Sequence, residues 1–447
     1  MFRLATRTYY RHTLSRNVSS NLRRPEAQQT IIRPYRMEAE DPKGHQTLAQ
    51  ETITHEVKLV PQTENGQHEA VYVPGGPLEV AGRIDRNIPI KQLLDQDWSI
   101  KIPPEKLHRF SIAPMLDVTH THFRFFMRLL TRYSTLWTEM IHANSIAFNE
   151  QQREEFLRFH RIEHPVVLQF GGSDPEILGK ASKFCEAQGY DELNLNCGCP
   201  SERVQSGCFG AVLMREPQKV AQCIKTIQES VNIPAHVKCR IGVDDEDSYE
   251  FVQRFVDIVS KEGGCKHFII HSRKCILQGL SPADNRKIPP LKYEVVKQLK
   301  KDFPHLQFSI NGGIKTYEDI ENFLNPEFGL TGVMVGRLAY EDPWVLCDVD
   351  RRVYGMPNPG LSRKEIVAIW GQYCDEELKR NPKIAWPSLI KPIINLFHNE
   401  RCSATFRRGL SDRELYKKCE KFSDMIKIVV EEFEKLNPEA MNVRPPE

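Results

Sequence analysis

The sequence predicts a (β/α)8 TIM barrel followed by a small all-helical domain, and the alternation of its segments is the main reason. Eight short runs of β-branched or aromatic residues alternate with amphipathic stretches over about 240 residues, which is the repeat of this barrel. Small or polar residues follow almost every run, where barrel enzymes build their sites. A doubly wound open sheet, the alternative, usually needs a Gly-rich turn after its first strand, and Ala113-Pro114-Met115-Leu116 is not one.

The individual elements follow from these runs and from the helical period of the stretches between them. The strands are predicted at residues 109–114, 135–139, 165–170, 192–196, 235–239, 267–271, 307–311 and 332–336. The helices between them are predicted at residues 121–133, 145–159, 174–188, 217–230, 249–262, 292–302 and 316–324. Asp174-Pro175 is typical of a helix start, with Asp as the cap and Pro at the first helical position. Beyond about Gly360, three further helices are predicted at residues 363–379, 387–398 and 411–436.

The composition divides the chain into four parts. The barrel is assigned to residues 106–350 and the helical domain to residues 360–447. Residues 37–105 are polar and are predicted to be a linker or a loosely ordered arm. No apolar run approaches the roughly 18 residues of a transmembrane helix, so no membrane partner is predicted. The 12 cysteines show no repeated framework, which favours free thiols in a reducing compartment.

The first 36 residues differ from the rest in charge. They contain eight Arg, no Lys and a single acidic residue, Glu26, whereas the remainder has 53 basic and 58 acidic residues. Arginines spaced among Ser, Thr and aromatic residues are typical of an organelle transit peptide, and the alternative is a disordered basic arm. We therefore predict that residues 1–36 direct the protein to mitochondria, with a plastid or the cytoplasm as alternatives. A secretory signal is excluded because an apolar core segment is missing.

Two of the strand ends predict a phosphate site. Asn311-Gly312-Gly313 follows the seventh strand and Gly336-Arg337 follows the eighth. These loops commonly bind phosphate in barrels, through backbone N–H groups and a cation. A phosphorylated cofactor is implied, and the alternative is a pair of ordinary glycine turns.

Three polar residues at other strand ends could hold a flavin ring. Gln169, Lys238 and His271 end the third, fifth and sixth strands and offer an amide, a cation and an imidazole to one bowl. The pyrimidine edge of a flavin suits an amide, and a cation near N1 and O2 stabilises the reduced anion. Taken singly, a lone Lys or His is more often a surface or core residue.

Cys199 is the candidate catalytic residue. It lies between Gly198 and Pro200, which predicts an exposed tight turn at the barrel mouth. Beside a flavin, such a thiol can act as the general acid that delivers a proton as hydride leaves N5. The alternatives are a buried structural cysteine, or zinc ligation together with Cys197. No metal site is predicted, because Cys-x-Cys has no second pair at metal spacing and His120-x-His122 lies on another segment.

Several of these motifs together resemble the tRNA-dihydrouridine synthase family over about residues 110–408. They are Leu193-Asn194-Leu195-Asn196-Cys197-Gly198-Cys199-Pro200-Ser201, Ala113-Pro114-Met115, Lys238-Cys239-Arg240-Ile241-Gly242, His271-Ser272-Arg273 and Asn311-Gly312-Gly313-Ile314. Further strings resemble the bacterial-type branch that acts on D-loop positions 20 and 20a. These are Ser201-Glu202-Arg203-Val204-Gln205, Gly207-Cys208-Phe209-Gly210-Ala211, Leu389-Ile390-Lys391-Pro392 and Leu396-Phe397-His398.

The resemblance implies an FMN-binding barrel with a helical tRNA-binding domain and NADPH as the hydride donor. It makes Cys199 the proton donor and places Asn196 against the uracil and Arg273 towards the substrate. The residues it implies around the FMN are Pro114, Met115, Gln169, Lys238, His271, Asn311, Gly312, Gly313, Gly336 and Arg337. Cys197 departs from the family pattern, which usually has an aliphatic residue there, and so it is a rival thiol. The N-terminal extension is also absent from the bacterial pattern.

The predicted function is therefore FMN-dependent reduction of uridine to 5,6-dihydrouridine in tRNA. Residues 379–421 contain eleven basic and four acidic residues, and Arg401, Arg407 and Arg408 are among the basic ones. This excess of positive charge is typical of a tRNA-binding surface. A solvated helix face is the alternative for this segment. The alternative enzyme is an FMN barrel for a small molecule, resembling dihydroorotate dehydrogenase or an ene-reductase. A catalytically inactive tRNA-binding scaffold is the third hypothesis.

Overall fold

The computed structural model describes residues 83–85, 87–95, 102, 104–201, 204 and 207–447. These residues belong to one compact unit, Gln67–Glu447. The predicted transit peptide, residues 1–36, and most of the predicted linker, residues 37–105, lie outside the described residues. In the part of the chain that is described, none of the helices is long and apolar enough to cross a membrane.

The described chain forms a parallel eight-stranded barrel, which confirms the predicted (β/α)8 fold. Its strands are β1 (Phe110–Ile112), β2 (Leu136–His142), β3 (Val166–Gly171), β4 (Glu192–Cys197), β5 (Ala235–Arg240), β6 (His267–His271), β7 (Gln307–Asn311) and β8 (Gly332–Val335). They are hydrogen-bonded in the order β1-β8-β7-β6-β5-β4-β3-β2. A parallel bridge between Ser111 and Thr135 joins β1 to the β2 side, so the sheet returns to its first strand.

Eleven of the described helices accompany these strands. They are α1 (Ile90–Asp95), α2 (Pro104–Leu107), α3 (Thr121–Leu130), α4 (Ala143–Phe148), α5 (Glu150–Leu157), α6 (Pro175–Gln188), α7 (Pro217–Ser230), α8 (Tyr249–Lys261), α9 (Tyr293–Asp302), α10 (Tyr317–Phe323) and α11 (Arg337–Glu341). The predicted helix at residues 145–159 is two helices, because the Asn149 side chain accepts a hydrogen bond from the Gln152 N–H and starts a new one. As predicted, Asp174 caps α6, and Gly189 ends it in the left-handed conformation with φ 96°.

Leu93 of α1 corrects the end of the predicted linker. This helix lies within residues 37–105, yet Leu93 is fully buried and Ile84 is also part of the hydrophobic core. Burial of a leucine side chain contributes about 1.5–3 kcal/mol. The last part of the predicted linker therefore packs against the domain.

The interior of the barrel is layered because strand side chains alternate in direction. A middle apolar layer consists of Ala113, Trp137, Val167, Ile269 and Met334. Polar side chains form a layer on each side of this apolar layer, one near the start of the strands and one near their end. The end reached by the carboxyl ends of the strands is here called the mouth, and the opposite end is called the bottom.

The C-terminal region is helical, as predicted, but its elements differ from the expected ones. They are α12 (Arg363–Arg380), α13 (Trp386–Ile390), α14 (Ser403–Leu410), α15 (Arg413–Lys418), α16 (Phe422–Leu436) and α17 (Pro438–Asn442). The predicted helix at residues 387–398 ends at Ile390 and continues as hydrogen-bonded turns, since Pro392 has no N–H to extend it. The predicted helix at residues 411–436 is divided into α15 and α16.

Helix α12 attaches these helices to the barrel. The Tyr373 ring stacks on Phe125 of α3 with centroids 4.0 Å apart, and its hydroxyl lies 2.7 Å from Nδ1 of His122. One turn further along, Glu377 accepts hydrogen bonds from Arg158. Although burial raises its pKa, His160 and Arg158 hold the pKa of the Glu377 carboxyl well below its usual range. This buried interface positions α12 beside the barrel.

Candidate active site

The mouth of the barrel collects five polar side chains that the sequence analysis had selected. The strand register pairs Asn196 with Lys238, and His271 with Asn311, while Gln169 pairs with the residue two before Asn196. Because parallel strands end at one edge, these side chains enter a common bowl above the apolar layer. Gln169, Asn196 and Asn311 are buried, and Lys238 and His271 are half-buried.

A chain of amides forms one wall of the bowl. Asn196 Nδ2 donates to Gln169 Oε1 at 2.8 Å, and Gln169 Nε2 donates to Asn194 Oδ1 at 2.8 Å. These bonds fix the orientation of all three amides. Asn194 Nδ2 is buried without a hydrogen-bond partner among the described residues, which leaves one donor of this wall available.

The turn that carries Cys199 is held from three sides. The Oδ1 atom of Asn196 accepts hydrogen bonds from the backbone N–H groups of Gly198 and Cys199, at 3.0 and 2.9 Å. The Cys199 carbonyl accepts from the Ala211 N–H at 3.0 Å. On the other side, Arg240 Nε donates to the Gly198 carbonyl at 3.1 Å. The backbone on both sides of the thiol is therefore fixed.

The two thiols of this turn occupy different environments. Cys197 is fully buried in the core between strands and helices, and burial raises its pKa well above the usual value. Cys199 is only partly buried, and its sulfur lies 3.7 Å from the Ser201 hydroxyl. Since strand residues alternate in direction, Cys197 points away from the bowl that Asn196 enters. Cys197 is therefore not a competitor for chemistry at the mouth.

Lys238 is held by an amide, and its pKa lies below the usual value for lysine. Its Nζ donates to Asn311 Oδ1 at 3.1 Å, and Asn311 in turn donates to the Met334 carbonyl at 2.7 Å. Burial, with the neighbouring Arg240 adding to it, lowers the pKa of Lys238 to about 8. The ammonium is thus still mostly protonated at neutral pH. An anion bound beside it would stabilise its charge.

His271 is a neutral imidazole of defined tautomer. Burial, and then the nearby cations Arg240 and Lys238, keep its pKa well below the usual value. Its Nδ1 lies 3.4 Å from Nη1 of Arg240. A guanidinium only donates, so this contact favours the tautomer in which Nδ1 accepts and Nε2 carries the proton. His271 can therefore offer an N–H to a neutral or anionic acceptor.

The glycine turn after β7 has the geometry of an anion site. Gly312 and Gly313 adopt φ values of 111° and 76°, which side chains avoid. A Cβ on Gly313 would lie 2.5 Å from Leu291 Cδ1 and 2.8 Å from the Tyr293 hydroxyl, so a side chain there would have to displace them. The Tyr293 hydroxyl donates to the Gly312 carbonyl at 2.7 Å and fixes the turn.

Arginines without acidic partners complete this site. Burial lowers the pKa of both Arg273 and Arg286, and the neighbouring Arg337 lowers both further. In the described ranges, no carboxylate lies within salt-bridge distance of any of these three guanidinium groups. Cations that repel one another beside a glycine turn are stabilised by a bound phosphate, so the residues present fit a phosphorylated cofactor.

The remaining predicted cofactor residues lie where the barrel closes. A Cβ on Gly336 would lie 3.7 Å from Ala113 and 3.8 Å from the Met115 sulfur, so the ends of β1 and β8 adjoin. Pro114 and Met115 are partly exposed here, and Arg337 begins α11. The structure thus brings these residues to the same end of the barrel as Gln169 and Lys238.

Two functional candidates were not singled out from the sequence. Arg240 lies two residues after Lys238 on the same strand. Because alternate strand residues point the same way, this spacing could have indicated that both side chains face the mouth. Glu139 ends up beside Asp117, whose carbonyl accepts from Lys391 of the C-terminal region. Burial, followed by the charge of Asp117, raises the pKa of Glu139 to about 7. No local sequence signal predicts that environment.

The basic C-terminal segment is divided between paired and unpaired cations. Lys379, Arg380 and Lys417 form ion pairs with acidic neighbours, and Arg401 donates to the Leu436 carbonyl at 2.9 Å. Arg407 and Arg408 on α14 are exposed, and among the described residues neither has a carboxylate within salt-bridge distance. The structure therefore keeps part of the predicted basic surface free of acidic partners.

The fold and the mouth define a class of protein, a (β/α)8 barrel enzyme with a site for a phosphorylated cofactor and a thiol beside it. The chain matches the family model described as dihydrouridine synthase over residues 111–432. It is 46% identical over 304 residues to the tRNA-dihydrouridine(20/20a) synthase of Vibrio vulnificus, which covers 68% of this chain and 91% of the relative. The chain therefore belongs to the dihydrouridine synthase family.

Further relatives carry the same name. The tRNA-dihydrouridine(20/20a) synthase of Salmonella typhimurium is 47% identical over 305 residues, which are 68% of this chain and 90% of the relative. The protein of that name from Escherichia coli K12 is 44% identical over 330 residues, covering 74% and 91%. Among solved structures, a 2-naphthoyl-CoA reductase complex aligns with a TM-score of 0.43 at 10% identity over 56% of this chain and 50% of its own.

Proposed function

We propose that this protein reduces uridine to 5,6-dihydrouridine at D-loop positions 20 and 20a of tRNA, with FMN as the bound cofactor and NADPH as the donor. The observation that carries the proposal is the arrangement of the mouth. A half-exposed thiol on a fixed turn lies at the same barrel end as Lys238, the amide wall and an unpaired cationic anion site. The names of relatives at 44–47% identity support the substrate and the positions.

The residues of the mouth match the parts of FMN. Gly312 and Gly313, with Arg337, would hold its phosphate, while Gln169 and Lys238 would contact the pyrimidine edge of its ring. When bound, the flavin supplies a hydride to C6 of the uracil. Lys238 and the Nε2 proton of His271 would stabilise the negative charge that the reduced cofactor carries.

Cys199 would supply the other half of the reduction. Hydride at C6 leaves negative charge at C5 and O4 of the base, so a proton has to reach C5. The Cys199 thiol can deliver it because Asn196 and Arg240 fix the backbone of its turn. Asn196 shares its amide between this turn and Gln169, which places it to orient the uracil as the base is stacked in the mouth.

The target base lies within folded RNA, so the enzyme has to extract it and hold the backbone elsewhere. The exposed Arg407 and Arg408 of α14 are suited to contact phosphates. Lys391 joins the C-terminal region to the loop after β1 through the Asp117 carbonyl, which couples this region to the rim of the mouth. Arg273, which has no carboxylate partner in the described structure, would face the substrate.

The test is reduction of unmodified tRNA by the purified, FMN-loaded protein with NADPH. Nucleoside mass spectrometry should detect dihydrouridine, and mapping of nuclease fragments should locate it at positions 20 and 20a. Dihydrouridine elsewhere in the D-loop would refute the position while leaving the reaction intact. Turnover of dihydroorotate or an activated alkene, with unreduced tRNA, would instead support the small-molecule alternative.

We also propose that residues 1–36 direct the protein to mitochondria. The eight arginines and single acid of this segment support the proposal. A fusion of residues 1–36 to a fluorescent protein should accumulate in mitochondria, and a version with the arginines replaced by glutamine should not. A cytosolic or nuclear signal for the first fusion would favour a basic RNA-binding arm.

A further inference from the structure

A second polar cluster lies at the bottom of the barrel, away from the mouth. His108 precedes β1, Glu192 begins β4, His236 lies in β5 and His267 begins β6. Their exposed fractions are only 3%, 4%, 6% and 0%. The apolar layer around Trp137 and Ile269 separates the cluster from the residues of the mouth. The proposed reaction makes no use of it.

The three histidine side chains lie close enough to share a ligand. One ring nitrogen from each of them lies within 4.8 Å of the ring nitrogens offered by the other two. Nε2 of His108 is 3.0 Å from Glu192 Oε1, and Nε2 of His236 is 3.1 Å from Oε2. The cluster therefore offers three imidazoles in one buried place, with a carboxylate beside two of them.

Hydrogen bonding within the chain leaves this cluster unsatisfied. Nδ1 of His108, His236 and His267 are buried without a hydrogen-bond partner in the described structure. Nε2 of His236 lies 3.1 Å from Oε2 of Glu192. Buried polar atoms are rarely left without a partner, and several in adjacent side chains indicate a missing common partner. A cation bound to one nitrogen of each ring would supply that partner.

We propose that His108, His236 and His267 bind one structural zinc ion at the bottom of the barrel, with Glu192 orienting the rings of His108 and His236. Imidazole nitrogens select zinc and neighbouring transition metals over magnesium and calcium, which prefer oxygen ligands. Zinc bonds of about 2.0–2.1 Å place tetrahedral donors about 3.4 Å apart, so small rotations of these rings would bring the three nitrogens to that spacing, with a water as the fourth ligand. The ion connects the entry to β1 with β5 and β6, and its role is to stabilise the closed barrel.

The test is elemental analysis of the untagged, FMN-loaded full chain, because a polyhistidine tag would itself bind zinc. Protein from zinc-supplemented cells, exchanged into chelator-treated buffer, should contain about one zinc per chain. X-ray absorption at the zinc edge should show a shell of nitrogen and oxygen ligands without sulfur, which distinguishes this site from the many cysteines. His267→Gln should lose the zinc and lower the melting temperature.

His122→Gln is the matched control, since it also removes a buried, hydrogen-bonded imidazole. It should keep the zinc content of the wild type. Wild-type protein with less than about 0.2 zinc per chain, or equal zinc in His267→Gln, would overturn the proposal. If His267→Gln does not fold, the zinc content and edge spectrum of the wild type decide alone, and a sulfur-containing shell would also overturn it. None of these readouts depends on tRNA reduction.

Discussion

The barrel mouth and the C-terminal helices both carry cations, but they hold them in opposite ways. At the mouth, Lys238 is fixed by an amide acceptor on β7, and Arg240 is fixed by a carbonyl acceptor in the turn after β4. On α14, Arg407 and Arg408 are exposed and, in the part of the chain described, have no nearby carboxylate. Enclosed charges act strongly at defined atoms, whereas exposed charges are screened beyond about 8–10 Å. This difference supports the proposal that the mouth carries the chemistry and that the helices contribute affinity for RNA.

The largest effect is expected at the mouth thiol. Cys199→Ala should retain bound FMN and its reduction by NADPH but lose about 10²- to 10⁴-fold in uridine reduction, because only the proton donor is missing. Stopped-flow flavin spectra and dihydrouridine analysis separate the two half-reactions. Cys197→Ala is the control, and its turnover should stay near that of the wild type because Cys197 faces the core. Exchanged phenotypes would contradict the assignment within the turn.

A smaller loss is expected for Lys238→Met. The charge-assisted hydrogen bond that it removes contributes about 1.5–3 kcal/mol, which corresponds to a roughly 10- to 150-fold weaker flavin affinity. Purified protein should be pale, and titration with FMN gives the dissociation constant. Lys261→Met removes an exposed lysine paired with Asp257 and should bind FMN normally. A yellow, fully active Lys238→Met would show that the cation is dispensable.

Substitutions on the C-terminal helical surface should weaken the affinity for tRNA more than they slow turnover. Replacement of Arg401, Arg407 and Arg408 by Ala should raise KM for tRNA more than it lowers kcat. The slope of log affinity against log salt should fall by about 2–3 units, since each neutralised phosphate releases roughly 0.7–0.9 counterions.

The matched control for the helical surface is the triple replacement of Lys364, Lys379 and Lys417 by Ala. It removes the same net charge from cations that already pair with acids. It should change the salt slope much less. Equal slopes for the two triple variants would mean that overall charge, and not the unpaired face, governs binding.

The smallest effect concerns the carboxyl at the rim of the mouth. The pKa of Glu139 is raised to about 7, so folding favours its protonated form. Its contribution to stability is complete below the usual carboxyl range and is lost as the pH rises through about 7. Glu139→Gln should therefore melt at a higher temperature than the wild type at pH 8, with the difference shrinking towards pH 4.5.

A thermal melt series across that pH range checks the expectation for Glu139. Glu432→Gln, on the exposed face of α16, removes an equal charge and should show no such trend. A parallel trend in both variants would assign the pH dependence to net charge.

The alternation of strand-like and helical segments was sufficient to predict the barrel. Short runs of β-branched or aromatic residues located all eight strands, with the largest difference at β2, which extends to His142. The strand ends then identified the residues of the mouth, because parallel strands bring their carboxyl ends together whatever the loops do. Helix limits in the C-terminal region were less predictable, since Pro392 and the packing of α12 on α3 decide them.

Only the tertiary structure decided which charges act on one another. The sequence left Cys197 and Cys199 as rivals, and the direction of the last residue of β4 separates them. His108 and His267 are far apart along the chain, yet their ring centroids are 4.3 Å apart at the bottom of the barrel. Local pattern determines which face a side chain occupies, whereas pKa values and ligand sets depend on neighbours from distant strands. The sequence by itself therefore determined the barrel and its reactive end, and the closed sheet determined the electrostatics of both ends.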